Sequence, residues 1–216
     1  MIAIVDYGAA NLLSISRALA AVGATAEVTD QPPAIAAAEA VVLPGVGAAG
    51  AAMERLRATG ADAALRQAVA AGRPLLGLCL GMQLLFDHLA EDDVAGLGIL
   101  PGTVPRLPRG DWKIPHMGWN TLTWRPGAPG TDLFAGLEPG VAVYFVHSYH
   151  CLPARQEHAV AFTEHGGPVC AAVAATAVHG LQFHPEKSGP VGLRLLANWL
   201  ALARASAPAP AKEARP

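Results

Sequence analysis

One cysteine stands between two glycines inside an apolar run, LLGLCLGMQLL at residues 75–85. Glycine weakens a strand, because it loses backbone entropy and offers no side chain for packing. Residues 77–81 (GLCLG) instead have the G-x-nucleophile-x-G form of a sharp turn that lifts a nucleophile out of the backbone. A helix beginning behind the sulfur would favour the reactive thiolate. Cys79 is therefore either a small core residue or an activated thiol, and a partner base would decide between them.

A second segment, LQFHPEKSG at residues 181–189, places a histidine and a carboxylate two positions apart. In extended backbone, residues two apart point the same way, and Pro185 pushes His184 toward that conformation. Glu186 could then orient the imidazole of His184, which would serve a nucleophile as its base. The same residues also fit a solvated surface turn, so both interpretations stay open.

A glycine-rich loop, PGVG at residues 44–47, could supply the third requirement of acyl transfer. This reaction needs hydrogen-bond donors aimed at the developing oxyanion. The backbone N–H of Leu80 is one candidate, and the N–H of Val46 or Gly47 is the second. Taken alone, PGVG also fits an ordinary strand-to-helix loop.

The composition of this chain of 216 residues is that of a globular protein, with 52% hydrophobic and 15% charged residues and a net charge of −2. The absence of a basic cluster argues against nucleic-acid binding, and no apolar run reaches the roughly 18 residues of a membrane span. The cysteines Cys79, Cys151 and Cys170 form no CxxC pair, which argues against a zinc site or a disulfide framework. With no signal-peptide pattern at the N-terminus, a cytoplasmic location is expected.

Alternating strand and helix patterns in the first half predict a mostly parallel central sheet flanked by helices, an α/β fold. Asp62 is a candidate N-cap, and Gly72 a helix stop. The predicted strands are Ile2–Val5, Ala26–Thr29, 40–43 (ended by Pro44) and 75–78, and the predicted helices are 12–22, 48–58, 62–71 and a helix from Cys79 to Leu89.

The second half is rich in proline and glycine, and its short strand patterns predict antiparallel additions to the sheet. A last helix should open near Pro190. We expect one domain over residues 1–205 and a disordered tail over 206–216, which is rich in proline and alanine. The predicted strands of this half are 121–124, 141–146, 159–163, 169–173 and 178–183.

The segments PGVG, GLCLGMQLL and QFHPEKSG, in this order, resemble the class I glutamine amidotransferases. KIPHMGWN (113–120) and YFVHSYH (144–150), with DYGAAN at the start, are similar to the glutaminase subunits of imidazole glycerol phosphate synthase. The resemblance covers nearly the whole chain, and HMGWN is its most specific part. Ala10 departs from the usual glycine of DYGAGN, so the first loop would be strained or reshaped if that position needs a positive φ.

This resemblance implies that Cys79, His184 and Glu186 form a catalytic triad. The sulfur would attack the side-chain amide of L-glutamine and release ammonia, and water would hydrolyse the thioester to glutamate. The sequence has no phosphate-binding P-loop and no metal-ligand spacing, so no cofactor and no metal are expected. The residues expected to hold the substrate are Gln83, Ser148 and Tyr149.

The resemblance also implies a partner, a cyclase of the (β/α)₈-barrel type that forms a heterodimer with this chain and uses the ammonia. Asn11, Trp119 and Lys187 match family positions near that interface, although Trp119 could equally belong to the core. His116 and His147 are motif residues for which we expect a structural hydrogen-bonding role rather than chemistry.

Three other functions fit the same residues. The chain could be the glutaminase of a different amidotransferase complex, a stand-alone cysteine amidase or peptidase, or a binding module that kept the fold. HMGWN argues against the first, and the presence of all three triad residue types argues against the last.

Overall fold

The structure, a computed structural model, describes residues 1–8 and 11–206, and its strands and helices alternate through the first half. Strands dominate the second half until a long final helix. The strands are β1 (Ile2–Val5), β2 (Ala26–Thr29), β3 (Ala40–Gly45), β4 (Leu75–Cys79), β5 (Phe86–Leu89), β6 (Val94–Ala95), β7 (Leu100–Val104), β8 (His116–Thr121), β9 (Ala142–His147), β10 (Leu152–Pro153), β11 (Ala159–Glu164), β12 (Pro168–Ala175) and β13 (Val178–Leu181). The helices are α1 (Leu12–Ala21), α2 (Pro32–Ala37), α3 (Ala49–Thr59), α4 (Ala61–Ala70), α5 (Leu80–Gln83) and α6 (Gly189–Ser206).

The central sheet, as far as the described residues show, has seven strands in the order β11-β12-β13-β4-β3-β1-β2. From β2 to β13 neighbouring strands are parallel, whereas β12 and β11 are added antiparallel. Strands β3, β4 and β13 are buried along their whole length, as strands covered by helices on both faces must be. The predicted α/β fold with antiparallel strands in the second half is confirmed.

Two hydrophobic layers enclose this sheet, because successive side chains of a strand point to opposite faces. Along β1, Ile2 and Ile4 pack in the layer that includes Leu19 of α1 and Trp199 of α6. Ala3 and Val5 belong to the other layer, with residues of α2, α3 and α4. The layers hold the sheet rigidly enough to position side chains at the carboxyl ends of its strands.

The long helix predicted after Cys79 is wrong beyond its first turn. Helix α5 ends at Gln83, and Phe86 opens β5, which belongs to a four-stranded sheet of order β10-β7-β5-β6 within the described part of the chain. Met82, Leu85, Phe86 and Leu89 are all buried, so their spacing reflects complete burial rather than one face of a helix. Consequently, only one helical turn presents N–H groups near the sulfur.

Three smaller predictions were also wrong. Strand β3 continues through Pro44 to Gly45, because its pairing with β1 ends at Val42 and the proline removes no ladder hydrogen bond there. The N-cap of α4 is Gly60, with a left-handed backbone, while Asp62 lies in the first turn and pairs with Arg66.

The strand predicted at 121–124 begins earlier, as β8, and ends at Thr121, after which Thr123 forms only an isolated bridge. The predicted helix stop at Gly72 has a positive φ, as expected, and Pro190 lies in the first turn of α6. The predictions for Ala10 and for most of the tail fall on residues 9–10 and 207–216, which lie outside the described residues. No helix in the described ranges is long and apolar enough to cross a membrane.

The turn after β4 packs directly against the backbone of β3, which explains the glycines beside Cys79. A Cβ on Gly81 would overlap the carbonyl oxygen of Leu43, and a Cβ on Gly77 would lie 2.7 Å from the carbonyl oxygen of Gly81. Even an alanine at either position must push two backbone segments apart. The glycines therefore permit a contact that sets the position of Cys79.

We predict that Gly81→Ala destabilises the protein by about 3 kcal/mol, because overpacking moves backbone rather than a flexible side chain. Gly23→Ala is the matched control, since Gly23 has open space around it and only a positive φ to accommodate, a cost of about 1–2 kcal/mol. Urea unfolding of both variants measures the difference. Equal losses for the two would contradict the close contact between the turn and β3.

Candidate active site

Cys79 has a strained backbone at the end of β4. Its φ is +54° and its ψ is −111°, a combination that non-glycine residues rarely adopt. The thiol donates toward the carbonyl oxygen of Val146 at 3.8 Å, and Nε2 of Gln182 donates to Sγ at 3.9 Å. This is the strained strand-to-helix turn that the flanking glycines predict.

His184 and Glu186 form a buried pair. His184 Nδ1 lies 2.8 Å from Glu186 Oε1, and the two side chains are 6% and 2% exposed. His184 is extended, but Glu186 lies in a 3₁₀ turn, Pro185–Lys187. The carboxylate thus reaches the ring through this turn and not through strand alternation. A solvated surface turn, the alternative left open by the sequence, is excluded.

The backbone of His184 is hydrogen-bonded through both its N–H and its carbonyl group. Its N–H donates to the carbonyl oxygen of Tyr144 at 2.9 Å. The hydroxyl of Ser188 donates to the His184 carbonyl at 2.6 Å and accepts from the Tyr144 N–H at 3.0 Å. These bonds attach the segment after β13 to the middle of β9.

Cys79 and His184 line one cavity. Burial lowers the pKa of His184, but the neighbouring Cys79 and Glu186 more than offset it and raise this pKa from 6.5 to about 9. His184 Nε2 is buried, and no atom of the described residues meets hydrogen-bond geometry with it, the nearby sulfur included. At pH 7 the site therefore places an imidazolium beside the sulfur, a charge that stabilises a thiolate.

The cavity has a volume of about 440 Å³, within the range of small-molecule sites. The backbone groups predicted as oxyanion donors and the residues predicted to hold a substrate lie in its wall. Gly47 there has a φ of +94°, a conformation that favours glycine. The full lining is Val46, Gly47, Cys79, Leu80, Gln83, Glu91, Pro115, Val146, His147, Ser148, Tyr149 and His184.

Gln83 is committed to internal hydrogen bonds through its amide nitrogen. Nε2 donates to the Tyr149 carbonyl and to Oε1 of Gln182, each at 2.9 Å. Because both amide hydrogens are used, only its carbonyl oxygen is left for a ligand. Gln182, fully buried and in contact with Sγ, was missed in the sequence although it lies in the quoted segment before His184.

Glu91 is a second residue that sequence reasoning missed. Its Oε2 accepts from the Ala49 N–H at 2.8 Å, and Asp92 Oδ2 accepts from the Gly50 N–H at 3.1 Å. These carboxylates cap α3, whose own N-cap, Ala48, has no side-chain acceptor. Glu91 also lines the cavity, where it can face a cationic group. No local motif signals this position, because the contact joins residues 42 apart in the chain.

The predicted interface residues lie outside the cavity lining. Trp119 is 60% exposed, its ring lies 6.1 Å from that of Tyr144, and Lys187 Nζ lies 5.8 Å from the Tyr144 ring centre. We call these three residues the Tyr144 cluster. Asn11 stands apart from it and caps α1, accepting from the Ser14 N–H at 3.3 Å. The structure therefore groups two of the three predicted residues, and Trp119 is not a core residue.

Comparison with known proteins gives consistent results. The family described as "Glutamine amidotransferase class-I" matches residues 3–202. The "Imidazole glycerol phosphate synthase subunit HisH" of Moorella thermoacetica is 49% identical over 205 residues, which cover 94% of this chain and 95% of that protein. The subunit of the same name from Chloroflexus aurantiacus is 47% identical over 209 residues, covering 96% and 99%. A solved "glutamine amidotransferase" superposes with a TM-score of 0.74 at 20% identity, covering 94% of this chain and all of that one, which shows the shared fold.

We predict that Glu186→Gln lowers the pKa of His184 from its value of about 9, since the carboxylate helps to raise it. A raised histidine pKa stabilises the folded state fully below the unfolded value near pH 6.5, and this contribution is lost as the pH rises through 9. The variant should thus be less stable by about 1–3 kcal/mol at pH 6, and the gap should close above pH 9.

An NMR titration of the His184 ring and urea unfolding at pH 6 and 9.5 measure these effects. Glu157→Gln, at an exposed position in a different 3₁₀ turn, serves as the control and should change neither quantity. A His184 midpoint that is the same in wild type and Glu186→Gln would refute the assigned role of the carboxylate.

Proposed function

The chain belongs to the class I glutamine amidotransferases, and from this membership we propose how its cavity hydrolyses L-glutamine to glutamate and ammonia. The chain acts as the glutaminase subunit of imidazole glycerol phosphate synthase, an enzyme of histidine biosynthesis. The observation that carries the proposed mechanism is a single cavity lined by the strained Cys79, by His184 and by the residues predicted to supply backbone donors, Val46, Gly47 and Leu80.

In the first half-reaction the Cys79 thiolate attacks the side-chain amide carbon of glutamine. The carbonyl oxygen becomes an oxyanion, which accepts hydrogen bonds from the N–H of Leu80 and that of Val46 or Gly47. The imidazolium of His184 gives its proton to the amide nitrogen, so that the C–N bond breaks and ammonia leaves. A γ-glutamyl thioester and a neutral imidazole remain.

In the second half-reaction the neutral His184 takes a proton from a water molecule as that water attacks the thioester carbon. The same backbone donors hold the second oxyanion. The C–S bond then breaks, which releases glutamate and restores the thiolate–imidazolium pair. Glu186 accepts the Nδ1 hydrogen of His184 throughout, which keeps the ring oriented.

The cavity can recognise both charged ends of a free amino acid. Glu91 offers a carboxylate to the α-ammonium group, and the carbonyl oxygen of Gln83 can accept from the same group. The backbone around Ser148 and Tyr149 is left for the α-carboxylate. These groups come from three separate elements, so the substrate site depends on the tertiary fold.

The names of its relatives make each of them a subunit of imidazole glycerol phosphate synthase, which implies a cyclase partner. We propose that this partner is a (β/α)₈ barrel and that it docks on the Tyr144 cluster and near Asn11. The cluster suits an interface because exposed aromatic side chains are common binding anchors. The Tyr144 carbonyl also accepts a hydrogen bond from the backbone N–H of His184, so the proposed docking surface lies one hydrogen bond from a residue of the triad.

The three unpaired, buried cysteines support a cytosolic location.

We predict that Cys79→Ala abolishes glutamine-dependent formation of imidazole glycerol phosphate, whereas added ammonia still supports the cyclase reaction. Cys170→Ala is the control, because Cys170 is buried away from the cavity lining and should leave glutamine turnover intact. Product assays of the reconstituted complex with each nitrogen source measure this. Residual glutamine hydrolysis by Cys79→Ala would exclude the proposed nucleophile.

We further predict that Trp119→Ala weakens binding to the cyclase at least about 10-fold, the effect of losing a buried aromatic anchor. Leu152→Ala, another exposed apolar position, should leave the affinity unchanged. Titration calorimetry measures both affinities.

We also predict that glutaminase activity is low for the free chain and rises strongly when the cyclase and its nucleotide ligand are present. Strong peptidase activity of the free chain would favour the alternative, a stand-alone hydrolase.

A further inference from the structure

Two buried histidines face each other across β8 and β9 and form a direct hydrogen bond. His116 and His147 are register partners, and Nδ1 of the first lies 3.0 Å from Nε2 of the second. His116 stacks between the rings of Phe145 and His165, with centroid distances of 4.5 and 4.1 Å. The proposed chemistry uses neither ring, although His147 lines the glutamine cavity.

The neighbours of these rings determine where each proton lies. His147 Nδ1 is 2.8 Å from the Tyr149 carbonyl, which can only accept, so Nδ1 carries the hydrogen. Burial lowers the pKa of His147 to about 3 and that of His116 to about 4, so both rings are neutral at pH 7. His147 Nε2 is then an acceptor, and His116 must donate to it from Nδ1.

Asn120 adds a further hydrogen bond to this series, at the end farthest from the cavity. Its Nδ2 donates to His116 Nε2 at 3.1 Å and to the Glu164 carbonyl at 2.9 Å, which uses both amide hydrogens. Every hydrogen bond thus points from Asn120 through His116 and His147 to the Tyr149 carbonyl. Reversing one of them would leave a buried donor facing a donor, at a cost of about 1–3 kcal/mol.

At its other end, this series of hydrogen bonds reaches the cavity. The Tyr149 carbonyl also accepts from Gln83, which donates to Gln182, which in turn donates to the Cys79 sulfur. An uninterrupted series of hydrogen bonds therefore joins β8 to the nucleophile. It passes through the backbone segment that we assign to binding the α-carboxylate of glutamine.

The opposite face of β8 is exposed. Met117 and Trp119 alternate with His116 and Asn120 along the strand and are 62% and 60% exposed. The two faces of β8 share one backbone, so a partner that displaces the strand at Met117 also displaces the neighbouring His116. The histidine pair is therefore a second connection between the docking face and the cavity wall, besides the bond from Tyr144 to the backbone of His184.

We propose that His116 and His147 are positioning residues, locked as Nδ1–H tautomers, that set the Tyr149 carbonyl and Gln83 for glutamine binding according to the position of β8. This inference rests on the proposed function, because it assigns the cavity to glutamine. It does not give either histidine a part in bond making.

The kinetic test compares two substitutions in the complete complex with the cyclase. His116→Phe keeps the stacking but loses the donor, and should raise KM for glutamine at least about 5-fold, the equivalent of one net hydrogen bond, with kcat changed less than about 2-fold. His116→Asn places an amide N–H near the position of Nδ1 and should restore KM partly. His179→Asn, at a buried histidine that takes no part in this series of hydrogen bonds, is the control for a general loss of packing. An unchanged KM in His116→Phe, or an equal rise in His179→Asn, would overturn the proposal.

A second measurement needs no variant and no activity. Long-range ¹H–¹⁵N NMR of the wild-type complex should show both rings as neutral Nδ1–H tautomers from pH 5.5 to 8. An Nε2–H tautomer, or protonation near pH 6.5, would overturn the proposal even if KM moved. If the wild-type complex fails to hydrolyse glutamine, the proposed function falls on its own; if it hydrolyses glutamine and the rings or KM disagree, only this inference falls.

Discussion

The candidate active site depends on one backbone contact, between the turn at Cys79 and the end of β3. Gly81 lies against the Leu43 carbonyl, and a Cβ on Gly45 would lie 2.8 Å from the Gly81 nitrogen. Because PGVG begins with the last two residues of β3, the same contact positions the proposed nucleophile and the candidate oxyanion donors of Val46 and Gly47. Interiors are close-packed and cannot stretch to admit a methyl group here. Small residues at this junction thus determine distances that catalysis requires.

Charge burial places a second constraint on the site. A carboxylate and an imidazolium out of water are costly unless they are paired with good geometry, and the short bond between Glu186 and His184 meets that condition. This buried pair lies where β9, β13 and the 3₁₀ turn that follows β13 converge. Tyr144 belongs to this junction through its backbone and to the Tyr144 cluster through its ring, so the candidate active site and the proposed docking surface share one residue.

Much of the framework could be predicted from local patterns. The strands Ile2–Val5 and Ala26–Thr29 have the predicted bounds, and α3 and α4 differ from their predictions by a residue or so. The spacing of apolar residues, together with glycine or proline at the ends of the elements, was sufficient to predict these bounds. The helical spacing of apolar residues gave a wrong prediction after Cys79. The stretch there is buried on all sides, so a short helical turn followed by a strand shows the same spacing as one face of a helix.

For the site, the types and spacing of Cys79, His184 and Glu186 predicted the kind of chemistry that we propose, because each lies in a short motif whose conformation is set by adjacent glycine or proline. Only the tertiary structure decided that these motifs meet at one cavity, that Glu91 also lines it, and that Gln182 contacts the Cys79 sulfur. It also decided that His116 and His147 hydrogen-bond across two strands. The reason is physical: a turn depends on neighbours in the chain, whereas a hydrogen bond between residues 31 to 103 apart exists only after the sheets have brought them together.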